Sequence, residues 1–252
     1  MDVDRHIVAL EAEGRLLAEA ADRAGLAAAV PSCPPWQVRD LLRHQGYVHR
    51  WATAYVSVPI RAQAPELTEA EQLAGGAADD RLLDWFRDGH GALIRTLRAA
   101  DPGVASWTFL DAPSPLAFWA RRQAHETAIH RADAQLAAGQ APGYQPDFAA
   151  DGVDELIMGF GQRRKYRPGT SADGGVQVLA TDTGDAWYLD VDQGRIQAHR
   201  GPGPGGCTVS GPASGVYLFL WNRSGDAQAN VTIAGDRGCL TAWQSSVRVR
   251  WG

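Results

Sequence analysis

The chain has 252 residues, 45% of them hydrophobic and 21% charged, with 24 basic against 29 acidic side chains and a net charge of −5. That balance excludes a disordered chain, and the acidity argues against a nucleic-acid binder, which carries a basic face. The length suits two modest domains.

No run reaches the roughly 18 consecutive apolar residues that a membrane span needs, so no membrane partner is expected. The opening stretch MDVDRHIVALEAEGRLL is acidic and amphipathic, unlike a signal peptide. Cys33, Cys207 and Cys239 are widely spaced and form no CxxC pair. A reducing, cytoplasmic location is therefore expected.

The first half reads as helices. Residues 4–26 place Ile7, Leu10, Leu16 and Leu17 on one stripe. Pro31, Pro34 and Pro35 break the chain, and a second helix is expected over 36–58, ending before Pro59. A linker with Pro65, Gly75 and Gly76 follows. The third helix is expected over 79–99 and the fourth over 116–138, separated by a connection carrying Pro102, Gly103, Pro113 and Pro115. Four such helices suffice for a bundle. A short fifth helix is expected over 153–162, closed by the basic run RRKYR at 163–167.

The texture changes after Pro168. VQVLA, AWYLDV, GCTVSG and residues 229–233 carry strand signals bounded by turns. GPASGVYLFLW at 211–221 is read as a buried helix, and residues 240–243 as a final helical turn before a tail at 247–251. The expected organisation is a helical bundle over 1–165 and a small α+β domain over 166–252.

The strongest chemical signal is RRQAHETAIHRAD at 121–133. Glu126 and His130 are four apart, so a helix sets them one above the other on the same face. A carboxylate and an imidazole so placed can share a divalent ion, and a catalytic zinc site needs a third protein ligand and an open position. Alone, the pair is also what a solvated i,i+4 contact looks like. His44 and His49 are the candidates for the third ligand. They lie about 140° apart around a helix of 3.6 residues per turn. His44 shares its face with Tyr47, Val48 and Trp51 and should look inward, as a core histidine or as a metal ligand. His49 sits on a more ambiguous side. Asp133 can orient His130, whereas His125 is turned away and suits packing. His6 and His90 have no patterned neighbour, and His199 is placed in an exposed loop. Cys33 lies near a helix start, where a thiol pKa can fall, yet no histidine is paired with it. Neither a Ser-His-Asp pattern nor a nucleophile elbow is present.

WQVRDLLRHQGYVHRW at 36–51, followed by WARRQAHETAIHRAD at 119–133, resembles the mycothiol-dependent maleylpyruvate isomerase-like family, whose first domain belongs to the DinB-like metal-binding four-helix bundles. The likeness extends through VSGPASGVYLFLWNR and VTIAGD. The resemblance implies an up-down four-helix bundle followed by a small α+β, SCP2-like domain. It implies a divalent metal, zinc above all, on His44, Glu126 and His130, with the DLLRH context placing His44. It also implies mycothiol as the thiol cofactor and a functional arginine in the second domain, matched by Arg223 in LWNR.

The expected function is that of a metal-dependent, mycothiol-using isomerase or transferase acting on a small electrophilic acid such as maleylpyruvate, with Arg223 holding a substrate carboxylate. The alternative is a non-catalytic, metal-stabilised small-molecule-binding or regulatory module. In that case Trp36, Trp51, Trp107 and Trp119 would be candidate pocket residues in the bundle; otherwise they are core.

Overall fold

The computed structural model describes residues 1–58, 62, 68–161, 175–192 and 195–246. The chain divides into two compact units, Met1–Pro142 and Gly143–Arg250. The expected boundary at 165, the basic run at 163–167 and the tail at 247–251 lie outside the described residues.

The first unit contains α1 (Val3–Ala24), α2 (Val38–Ser57), α3 (Glu69–Ala74), α4 (Asp79–Ala99) and α5 (Pro115–Ala137). The four long helices fall where the sequence predicts them, α1 and α4 from apolar periodicity and α2 and α5 from the prolines that bound them. Their ends follow local chemistry. The Asp2 carboxylate accepts the Arg5 N–H at 2.8 Å, and α1 stops at Gly25, whose φ of +80° suits a residue without Cβ. Ser114 caps α5, with Pro115 at its first position. In packing, α1 lies against α4 and α5, and α2 against the same two helices, which closes a four-helix bundle. Leu17 and Ala21 of α1, Leu41 and Leu42 of α2, and Leu82 and Phe86 of α4 form its apolar interior. Each such leucine or phenylalanine gains about 1.5–3 kcal/mol from leaving water. Gly14 permits the close approach of α1 to α4, since a Cβ there would collide with the His90 ring.

Two departures from the expected elements matter below. The linker after α2 holds the short helix α3, which opens with a reciprocal Thr68–Glu71 cap. The central helix α5 has no apolar stripe: it is buried along most of its length, with Arg122, Gln123, His125, Glu126, Thr127, His130, Arg131 and Asp133 among its buried residues.

The second unit begins with α6 (Pro146–Asp154), which starts at a proline and so earlier than the expected fifth helix. It runs directly into a π-helical turn, Glu155–Phe160. The strands are β1 (Gly175–Ala180), β2 (Ala186–Asp192), β3 (Arg195–Arg200), β4 (Gly205–Gly211) and β5 (Thr232–Gly235), and α7 (Ala213–Leu220) and α8 (Arg237–Ser246) complete the unit. The sheet order is β3-β2-β1-β4-β5, with β1 and β4 parallel and the other pairs antiparallel. Trp187 and Leu189 of β2 and Cys207 and Val209 of β4 are buried at alternate positions, as the two-residue strand period requires, while the central strand β1 buries Val176, Gln177 and Val178 in succession. Both α7 and α8 pack on β1 and β4, and α6 packs on α7. The helix expected at 211–221 is thus present as α7. The strand expected over 229–233 is displaced to β5, after the left-handed Asn230. His199 is exposed but lies in β3 rather than in a loop.

Candidate metal centre

Three of the sequence-predicted residues meet inside the bundle. His44 of α2 and Glu126 and His130 of α5 each present one donor atom, all within 4.8 Å of one another, and all three side chains are buried. Glu126 Oε1 lies 3.7 Å from His44 Nε2 and 3.4 Å from His130 Nε2. The two imidazole rings are 5.1 Å apart and stand edge to face. The one-turn spacing on α5 brings Glu126 and His130 together, and the inward face of α2 brings His44 to them.

The far side of each residue is occupied. The His44 Nδ1–H donates to Gln72 Oε1 at 3.0 Å, and the His130 Nδ1–H donates to Asp133 Oδ2 at 2.8 Å. Both rings are thereby fixed with Nε2 as the lone-pair nitrogen. Arg122 donates to Glu126 Oε2 at 2.7 Å. Asp133 is held in turn by the Ser32 hydroxyl at 2.5 Å and the Cys33 thiol at 3.6 Å. The Trp36 ring lies 5.0 Å from His44 and 6.2 Å from His130.

A divalent ion fits this donor set. His44 Nε2 and Glu126 Oε1 are buried with no hydrogen-bond partner. Leaving such atoms unpaired costs about 1–3 kcal/mol each, a cost that coordination would remove. Burial by itself pushes the Glu126 carboxyl up, but the Arg122 guanidinium and the neighbouring imidazoles hold it well below the usual carboxylate range. It is therefore a ready anion. Burial works to lower the His130 pKa, while the carboxylates of Asp133 and Glu126 raise it overall.

The remaining candidates fall elsewhere. His49 is buried five residues further along α2, on a different face, and meets Thr127 Oγ1 at 2.9 Å and Gln45 Nε2 at 2.8 Å, with the His90 ring at 5.3 Å. It faces no carboxylate there. His90 also meets the Leu10 carbonyl at 3.0 Å. His125 packs edge-on against His6 at 6.0 Å. Trp51, Trp107 and Trp119 join Tyr55 in an aromatic cluster, with Trp51 and Trp119 5.0 Å apart. Arg223 lies in the second unit just after α7, and its guanidinium donates to the Trp221 carbonyl at 2.8 Å. Three outer residues escape sequence reasoning. Gln72 sits in what reads as a linker, where the Thr68-x-x-Glu71 cap was the available signal. Arg122 was legible only as a cation four residues before Glu126. Ser32 carried no signal.

Comparison with known proteins agrees with this architecture. Residues 7–135 match the family described as mycothiol maleylpyruvate isomerase N-terminal domain, and residues 147–242 match the MDMPI C-terminal domain. Two solved structures, of the mycothiol-dependent maleylpyruvate isomerase and of a histidine-to-alanine mutant of it, each superpose with a TM-score of 0.64 at 13% identity, covering 93% of both chains. At that identity they show a shared fold. No curated protein matches the chain. With both family regions matched in order along a two-unit chain of the same fold, the protein belongs to the mycothiol maleylpyruvate isomerase family.

Proposed function

We propose that this chain is a metal-dependent, thiol-using isomerase or transferase acting on a small electrophilic acid, with mycothiol as the thiol and maleylpyruvate as the first substrate to test. The observation that carries the reading is the pair of buried, unpartnered donors, His44 Nε2 and Glu126 Oε1, that face each other at 3.7 Å beside His130. The thiol and the substrate come from the name of the structural relative.

His44, Glu126 and His130 would hold the ion, and two imidazoles with a carboxylate suit zinc. A bound divalent metal would supply Lewis acidity that lowers the pKa of a thiol. Around it the protein's own groups do the positioning. Gln72 and Asp133 fix the ring orientations, and Arg122 balances the Glu126 charge. Trp36 walls the two imidazoles with apolar surface. In the second unit, Arg223 is the residue proposed to hold a substrate carboxylate. The three widely spaced cysteines suit a reducing, cytoplasmic setting. Among the described residues no helix is long and apolar enough to cross a membrane.

The test is an assay of the zinc-loaded protein with mycothiol and maleylpyruvate, with bound metal verified. Conversion to fumarylpyruvate is expected. Full metal occupancy with no conversion would remove this reaction, and turnover of another electrophile by the same protein would assign a transferase.

A further inference from the structure

Behind each of the three prospective ligands stands one polar side chain. Gln72 and Asp133 each hold an imidazole by its Nδ1–H, which fixes a ring. Arg122 holds a carboxylate, and a carboxylate has two oxygens to offer. Arg122 is buried, one turn before Glu126 on α5, and its Nη2 lies 2.7 Å from Glu126 Oε2. The other oxygen, Oε1, faces the two Nε2 atoms at 3.7 and 3.4 Å and has no hydrogen-bond partner. The two oxygens of Glu126 are thus divided between a guanidinium and the donor cluster.

The division matters for what a metal can do. A carboxylate left to itself can chelate an ion through both oxygens. Two imidazoles and a chelating carboxylate give four donor atoms, a filled shell for an ion that prefers four. Two imidazoles and one carboxylate oxygen give three, with a position left for an exogenous ligand. We propose that Arg122 is a positioning residue that confines Glu126 to ligation through Oε1 and so keeps one coordination position open for a thiol. This rests on the metal reading given above. A simple neutralising role predicts something different: loss of the guanidinium would then weaken the fold or the site without changing how many atoms bind the ion.

The experiment compares wild type, R122M and R122K, stripped of metal and loaded with cobalt(II). Visible absorption distinguishes four-coordinate cobalt, which absorbs strongly, from higher coordination, which absorbs weakly. N-acetylcysteine is then titrated in, and its thiolate-to-cobalt charge-transfer band gives the thiol affinity. Wild type should show the strong four-coordinate spectrum with thiol bound. R122M, with its four positions taken by protein atoms, should absorb strongly before thiol is added but change its spectrum little on titration, binding the thiol about 10–100-fold more weakly, the usual cost of removing an outer partner. R122K, which keeps a point charge but not the planar fork, should recover both signals part of the way. An R122M protein with wild-type spectrum and wild-type thiol affinity overturns the proposal, even if its melting temperature falls. If R122M does not fold, R122Q, which retains an N–H donor but no charge, replaces it under the same two readouts. Wild type that takes up no cobalt overturns the metal reading itself, so it is measured first.

Discussion

Two neighbouring levels of the bundle carry buried histidines from the same helix and use them differently. At the Glu126 level, His44 meets a carboxylate and a second imidazole, and one nitrogen and one oxygen are left aimed at each other without partners. At the Thr127 level, His49 meets a hydroxyl and an amide, and no acid is near enough to pair. Burial is equal at both, so burial alone does not mark a site. The difference lies in the donor set: at the Glu126 level an anion stands beside two lone-pair nitrogens and suits a cation, while at the Thr127 level the unpartnered atoms, His49 Nδ1 and Gln45 Oε1, belong to neutral groups.

The largest test of that contrast is E126Q. It removes the only anion among the three donors and the charge that Arg122 faces. Breaking a buried ion pair on one side costs about 3–5 kcal/mol. We expect metal to be lost on dialysis and thermal unfolding to shift sharply downward, read by metal analysis and calorimetry. Retention of a full metal equivalent would contradict the assignment. Next comes H44A beside H49A. H44A should lose its metal, and with it the stabilisation that a bound ion gives. H49A should keep a full equivalent and lose about 1–3 kcal/mol from the broken polar network. The reverse pattern would move the centre to the Thr127 level. D133N and Q72A should retain the fold and weaken metal binding by about 10–100-fold, as removal of groups that orient ligand imidazoles does. Competition with a chelator would measure this, and wild-type affinity in both would reduce Gln72 and Asp133 to packing.

The smallest effect is on pH dependence, and it belongs to the Thr127 level. Burial first, and then the facing His90 and Arg50, hold His49 well below the usual imidazole range; burial also lowers His90. In the unfolded chain both titrate near about 6.5. Between the depressed values and that point the unfolded chain binds more protons, so metal-free protein should lose stability as pH falls below about 6.5, by up to about 1.4 kcal/mol per pH unit per group. Denaturant titrations of wild type and H49Q across that range should show a shallower slope in H49Q, and identical slopes would contradict the account.

Much of this was legible in the sequence. Apolar periodicity and prolines locate α1, α2, α4 and α5, and the spacing of Glu126 and His130 on one helix face follows from 3.6 residues per turn. Asp133 was legible by the same rule. The outer partners were not. Gln72 sits in a six-residue helix that is too short to show a period, between a proline and two glycines. Its contact with His44 spans 28 positions, which no local pattern reports. Arg122 was hidden for the opposite reason. Next to Arg121 on a charged helix it reads as solvated, and only the burial of α5 on nearly all sides makes it an interior cation.

That encirclement of α5 has a consequence for variation. On α4 the buried positions Leu82, Phe86, Gly89, Leu93, Ile94 and Leu97 recur at helical intervals, with exposed positions such as Arg81, Asp84, Arg87, Asp88, Arg95 and Arg98 between them. On α5 there is scarcely a neutral face, because Leu116 through Ala134 is buried with few breaks. A saturation scan of the two helices should therefore trace stripes of sensitivity on α4 and a nearly unbroken band on α5. Through most of that band even a change from one polar residue to another would disturb a fitted neighbour.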